Sequence, residues 1–207
     1  METIVSKAFD LVMVLCKKFN IDESHSLKHS MEVYNFALRI YESELITNAY
    51  LVQQKDIIII AAIIHDTIDK KYVSEETGIA EICEHLKDYI DIEKLNIIFK
   101  IITTMSYSIV KKNGFPVLGE YQLAYHIVRE ADLLAAYDID RCIMYSMYTK
   151  RISYSESLEV AITLFENRVL RHRKDRLIIT AFSKKLSIKL DKKAKSDIDI
   201  LTRNLNK

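Results

Sequence analysis

The chain has 207 residues, 49% hydrophobic and 29% charged, a balance that supports a buried core and excludes a disordered chain. Its formal net charge of +1 provides no global field to draw it to nucleic acid or an acidic membrane. Three Gly and one Pro exclude a turn-rich architecture and predict long helices joined by short polar connections.

In chain order, residues 2–19 place Ile4, Ala8, Leu11, Val12, Leu15 and Cys16 on one helical face, with Lys17 and Lys18 at the favourable end of the dipole. A second helix is predicted over 24–44, with Asp22 or Ser24 as its N-cap. The third, 54–68, is apolar nearly all round and is therefore the central buried helix. Helices follow at 76–88 and 91–106. Tyr107 to Gly119 holds two of the three Gly and the only Pro and is expected to be an irregular, functional loop. Further helices are expected at 120–136, 138–150 and 155–172. The Lys- and Asp-rich stretch 173–207 keeps helical spacing and is expected to pack on the domain surface or in a homodimer.

No strand pattern or repeat appears, so the predicted class is all-α, one domain over residues 1–207. Cys16, Cys83 and Cys142 lack metal-site spacing and are expected to be small buried residues. The longest apolar run, Ile57 to Ile64, is far short of the roughly 20 residues a bilayer needs, so no membrane partner is expected. The acidic start Met-Glu-Thr is unlike a secretory leader and points to a cytoplasmic protein.

One constellation carries chemistry. His65-Asp66 ends the most apolar helix, where an unpartnered charge is expensive and a divalent cation would be a partner. A solvated helix end is the plainer reading of that pair alone. Upstream, His25 and His29 lie i,i+4 on one face. Downstream, Asp132 sits in an apolar helical stretch, with Arg129 three residues before it. His85 and His172 are expected to be exposed. The basic run Arg168 to Arg176 reads as a solvated face, so no nucleic-acid partner is expected.

The order His29-Ser-Met-Glu32-Val33, then Ile64-His65-Asp66, then Ala131-Asp132-Leu133-Leu134-Ala135-Ala136 resembles the HD-domain superfamily of metal-dependent phosphohydrolases. The likeness spans residues 20–140, and Glu32 departs from the usual basic residue. It implies an HD-like helical bundle with C-terminal helices 141–207 packed on the motif-bearing core. It also implies one divalent transition metal (Mn, Fe, Co, Ni or Zn) on His29, His65, Asp66 and Asp132. Asp69 would orient the attacking water, although Lys70 stands where related tetraphosphate hydrolases carry a second acid. Lys70, Lys111, Arg129 and His25 are the candidate contacts to substrate, a small phosphate ester of the nucleotide class. The alternative is a catalytically silent HD fold that binds a nucleotide or a protein partner.

Overall fold

Polar caps and apolar stripes divide the chain into helices much as the pattern predicts. The computed structural model describes residues 3–205, and no strand occurs among them. The first expected helix begins at residue 2 and the last stretch ends at 207, both outside the described residues. The α-helices are α1 (Ile4–Phe19), α2 (Leu27–Leu45), α3 (Lys55–Ile64), α4 (Glu75–Leu86) and α5 (Ile92–Thr104). They continue as α6 (Tyr107–Asn113), α7 (Gln122–Ala135), α8 (Ile139–Lys150), α9 (Tyr154–Asn167) and α10 (Ala181–Leu205). Side chains of Thr3, Ser74, Asp91, Ser106, Asp138 and Ser153 accept from first-turn N–H groups that no intrahelical carbonyl can reach.

Every residue of α3 from Ile57 to Ile64 is buried, and the helix packs against α1, α2, α5 and α7. This is the principal core. A second apolar cluster joins Ile139 and Ile143 of α8 to Leu158, Ala161 and Phe165 of α9 and Ala194 of α10. α10 lies across α7, α2 and α8, so the C-terminal stretch packs on the rest of the chain. No described helix is long and apolar enough to cross a membrane.

Four local expectations need correction. α3 stops at Ile64 instead of running to 68, because Thr67 donates from Oγ1 to the Ile64 carbonyl at 2.7 Å and the chain turns. This turn carries Asp66 and Asp69, and its Ile68 packs so closely on Gly78 that a Cβ there would clash. The expected loop 107–119 begins with a helix, α6, because the Ser106 cap and a closing Gly114 (φ 76°) outweigh the nearby Pro116. The helix expected over 24–44 starts as a 3-10 turn, Glu23–His25, capped by Asp22, before α2 begins. The three cysteines are only half-buried, each lying at the margin of a helical stripe.

Candidate metal centre

His29 lies in the first turn of α2, where its i+4 neighbour Val33 packs into the core; His65 and Asp66 follow α3, and Asp132 is on α7. The packing of α2 and α3 against α7 brings all four side chains together. The two Nε2 atoms stand 3.1 Å apart. His29 Nε2 is 3.3 Å from Asp66 Oδ2 and 3.4 Å from Asp132 Oδ1, and His65 Nε2 is 3.4 Å from Asp66 Oδ1 and 3.7 Å from Asp132 Oδ1. Nitrogen and oxygen donors about 2.1 Å from a common ion are separated by about 3.0–3.4 Å. His29, His65 and Asp66 have that spacing, while Asp132 has it from His29 and stands wider, at 3.7 Å, from His65.

Two further observations test the fit. Asp66 Oδ2 is sealed from solvent, with His29 Nε2 3.3 Å away but not aligned for a hydrogen bond, so this buried anionic oxygen calls for a cation between the two. His65 donates from Nδ1 to the Ala62 carbonyl at 2.9 Å, so in the neutral ring the lone pair is on Nε2, which faces the carboxylates. His29, His65 and Asp66 together could hold a metal ion, and Asp132 stands beside them, 3.4 Å from His29 Nε2. Burial opposes protonation of His65, but Asp66 and Asp132 beside it push its pKa up to about 9. Burial likewise opposes ionisation of Asp66, yet His65 and His29 hold its carboxyl well below the usual range.

A cavity of about 730 Å³ opens from this cluster, between the principal core and the α8–α9 pair. It is the size of a small-ligand site. Leu133, Ala161, Leu164 and Val169 form an apolar part of its wall. Arg141, Lys150 and Arg168 line it as well, and none of them has a carboxylate within ion-pair distance among the described residues.

The predicted substrate contacts are divided by the fold. His25 lines the cavity and is held from behind: its Nδ1 meets Ser24 Oγ at 2.7 Å and Tyr72 OH at 3.2 Å, while Tyr72 OH and Ser24 both donate to Asp22. Its Nε2 makes no hydrogen bond and is not sealed in. Lys70 reaches the cavity rim and pairs with Glu75 at 3.2 Å. Asp69 is on the wall but engaged by Lys71, whose N–H donates to it at 2.9 Å. Lys111 lies off the cavity wall and pairs with Asp175 at 2.9 Å. Arg129 does not face the site either. It is buried beneath the Phe115 ring, 4.7 Å from its centroid, and beside Glu130.

Sequence reasoning missed Arg141, Tyr145 and Lys150 on α8. The i,i+4 pair Arg141–Tyr145 is a helical-face signal, but nothing in it says which face meets a cavity. Arg168 was visible only as one member of a basic run. Among the Arg and Lys side chains of that run it is the one that lines the cavity, over the Tyr107 ring at 4.6 Å.

His172, expected to be exposed, is fully buried between Tyr107 and Tyr137, and neither ring nitrogen is hydrogen-bonded. The chain bends after α9 and folds this ring inward. Burial, then the Arg168 charge, lowers its pKa to about 4; burial and Arg129 do the same for His126. The unfolded chain therefore takes up protons first, and stability is lost as pH falls from about 6.5 towards about 4. We expect the melting temperature to decline through that window, and His172→Leu to make the decline shallower by one of the two protons. An unchanged slope in the variant would exclude His172 as a source of acid lability.

Neither a family model nor a curated protein matches the chain. A solved structure from Lactobacillus plantarum, a Northeast Structural Genomics target, is similar to it. The two share 20% identity, with 100% of this chain and 99% of the other covered and a TM-score of 0.71. That likeness shows the all-α fold over the whole chain.

Proposed function

We propose that this chain is a metal-dependent phosphohydrolase of the HD type, acting on a small phosphate ester with nucleotides as the first class to test. The observation that carries the reading is the cluster of two imidazoles and two carboxylates beside a cavity whose Arg141, Lys150 and Arg168 have no carboxylate partner among the described residues. The mixed N/O donor set suits Mn, Fe, Co, Ni or Zn better than Ca. A cation held there by His29, His65, Asp66 and Asp132 would supply an acidified water and neutralise phosphoryl charge.

The chain's own residues do the rest. Arg141, Lys150 and Arg168 hold phosphoryl oxygens by charge-assisted hydrogen bonds. Asp69, anchored by Lys71 on the cavity wall, orients the attacking water. His25, fixed by Ser24 and Tyr72, presents Nε2 to the leaving oxygen and protonates it as the P–O bond breaks. The apolar stretch from Leu133 to Val169 provides a bed for the organic part of the ester. A cytoplasmic setting is in keeping with three free thiols.

The test is elemental analysis of the purified protein, followed by a phosphate- and pyrophosphate-release screen over nucleotides with Mn, Co, Ni or Mg. We expect about one ion per chain and release from at least one nucleotide class. Metal without turnover would support the second reading, a silent HD fold that binds a nucleotide or protein partner. Glu32, in place of the usual basic residue, favours that alternative. Absence of metal under every loading condition would remove both readings.

A further inference from the structure

Among the described residues Arg141 makes a single hydrogen bond, from Nη1 to Nδ1 of His29 at 2.8 Å. A guanidinium only donates, so Nδ1 accepts and the proton of the neutral His29 ring lies on Nε2. That is the nitrogen facing Asp66, Asp132 and His65. A protonated nitrogen has no lone pair for a cation. Metal-ligating imidazoles commonly keep their other N–H on an acceptor, as His65 does on Ala62, and His29 departs from this with a donor in that place. Arg141 also lines the cavity with no carboxylate in range, so its remaining N–H groups are available to an anion.

We propose that Arg141 couples the two ligands of the cavity: it moves from His29 Nδ1 to a phosphate-type anion, and in doing so frees His29 to ligate a cation. This rests on reading the His/Asp cluster as a metal site. When Arg141 leaves, His29 gives up its Nε2 proton and takes one on Nδ1 by exchange with solvent, so no net proton is gained or lost. Coupling is reciprocal: the anion tightens the cation and the cation tightens the anion by the same factor.

The experiment measures the manganese(II) dissociation constant of the full chain with and without inorganic phosphate, for wild type, Arg141→Met and Lys150→Met. Lys150 lines the same cavity without contacting His29, so its replacement removes an equal charge and reports the purely electrostatic effect. In wild type, phosphate is expected to tighten manganese about tenfold, within the usual range of such couplings. Arg141→Met is expected to bind manganese about tenfold more tightly than wild type without phosphate, and to lose the response to phosphate. Lys150→Met removes one phosphate contact but leaves the Arg141–His29 hydrogen bond, so it should match wild type in manganese affinity without phosphate and need more phosphate for the same tightening. Arg141→Gln repeats the comparison in case methionine disturbs α8. Equal manganese affinity in Arg141→Met and Lys150→Met, or a retained phosphate response in Arg141→Met, overturns the proposal. If wild type binds no manganese but Arg141→Met does, the latch stands and so does the metal site. If neither binds it, the metal reading fails and the coupling fails with it.

Discussion

Asp66→Asn is expected to release the metal and abolish phosphate release while leaving the fold intact. The substitution keeps the shape of the turn after α3 but removes the charge of a carboxylate that meets both histidines. Loss of mere outer-sphere partners weakens metal sites about 10–100-fold, so loss of a ligand should exceed about 100-fold. Metal content by elemental analysis and product release by the same screen read the effect together. Full metal content in the variant would show that the ion, if any, is held elsewhere.

A second signature belongs to chelator-treated protein. His65 has its pKa raised from 6.5 to about 9, chiefly against its own burial and by Asp66. A raised folded pKa means that stabilisation is fully present below about 6.5 and is lost as pH climbs through about 9. With Asp66→Asn the largest favourable contribution to that shift disappears, so the alkaline decline in melting temperature should flatten. A variant declining as steeply as wild type would exclude the His65–Asp66 pairing as its cause.

Glu130→Ala is expected to give the largest loss of stability of any single change away from the metal cluster. Glu130 is fully buried on α7, where its carboxylate accepts from the Ile179 and Thr180 N–H groups and from Thr180 Oγ1 at 2.6 Å. These donors lie just before α10, so one side chain fastens the C-terminal helix to the core. Its other neighbour is the buried Arg129 guanidinium at 3.5 Å. Removing the carboxylate strands that cation and three donors, a mechanism that costs about 3–5 kcal/mol. For a chain of this size the melting temperature should fall by roughly 6–20 °C, with hydrogen exchange accelerating at 178–185. Arg129→Met in the same background should recover part of the loss, because it removes the stranded charge. A melting temperature within about 2 °C of wild type would refute the fastening role.

The same pair explains why Arg129 does not line the cavity. Three residues before Asp132, it shares a helical neighbourhood with the metal cluster, yet a spacing of three on a buried helix also fits a side chain folded into the core. Only the placement of Phe115 over its guanidinium and of Glu130 beside it decides between the two.

The helical class was legible because scarce Gly and Pro, polar caps and 3.6-residue stripes are local properties, written within a few residues of where they act. The four cluster residues were legible for a related reason. A His or Asp embedded in an apolar stretch is costly without a partner, so the anomaly shows in the sequence before the partner is known. What lies around them was not legible. Whether Arg141, Lys150 and Arg168 meet the cavity, whether His172 turns inward, and whether Lys111 reaches a ligand or Asp175 depend on how α8, α9 and the bend before α10 are set against α7. Those are contacts between residues tens of positions apart, fixed by the packing of whole helix faces rather than by local preference. The amino-acid sequence by itself determined the helices and the chemical character of the His/Asp cluster; the tertiary structure alone decided which cations face the cavity and which are spent on holding the fold.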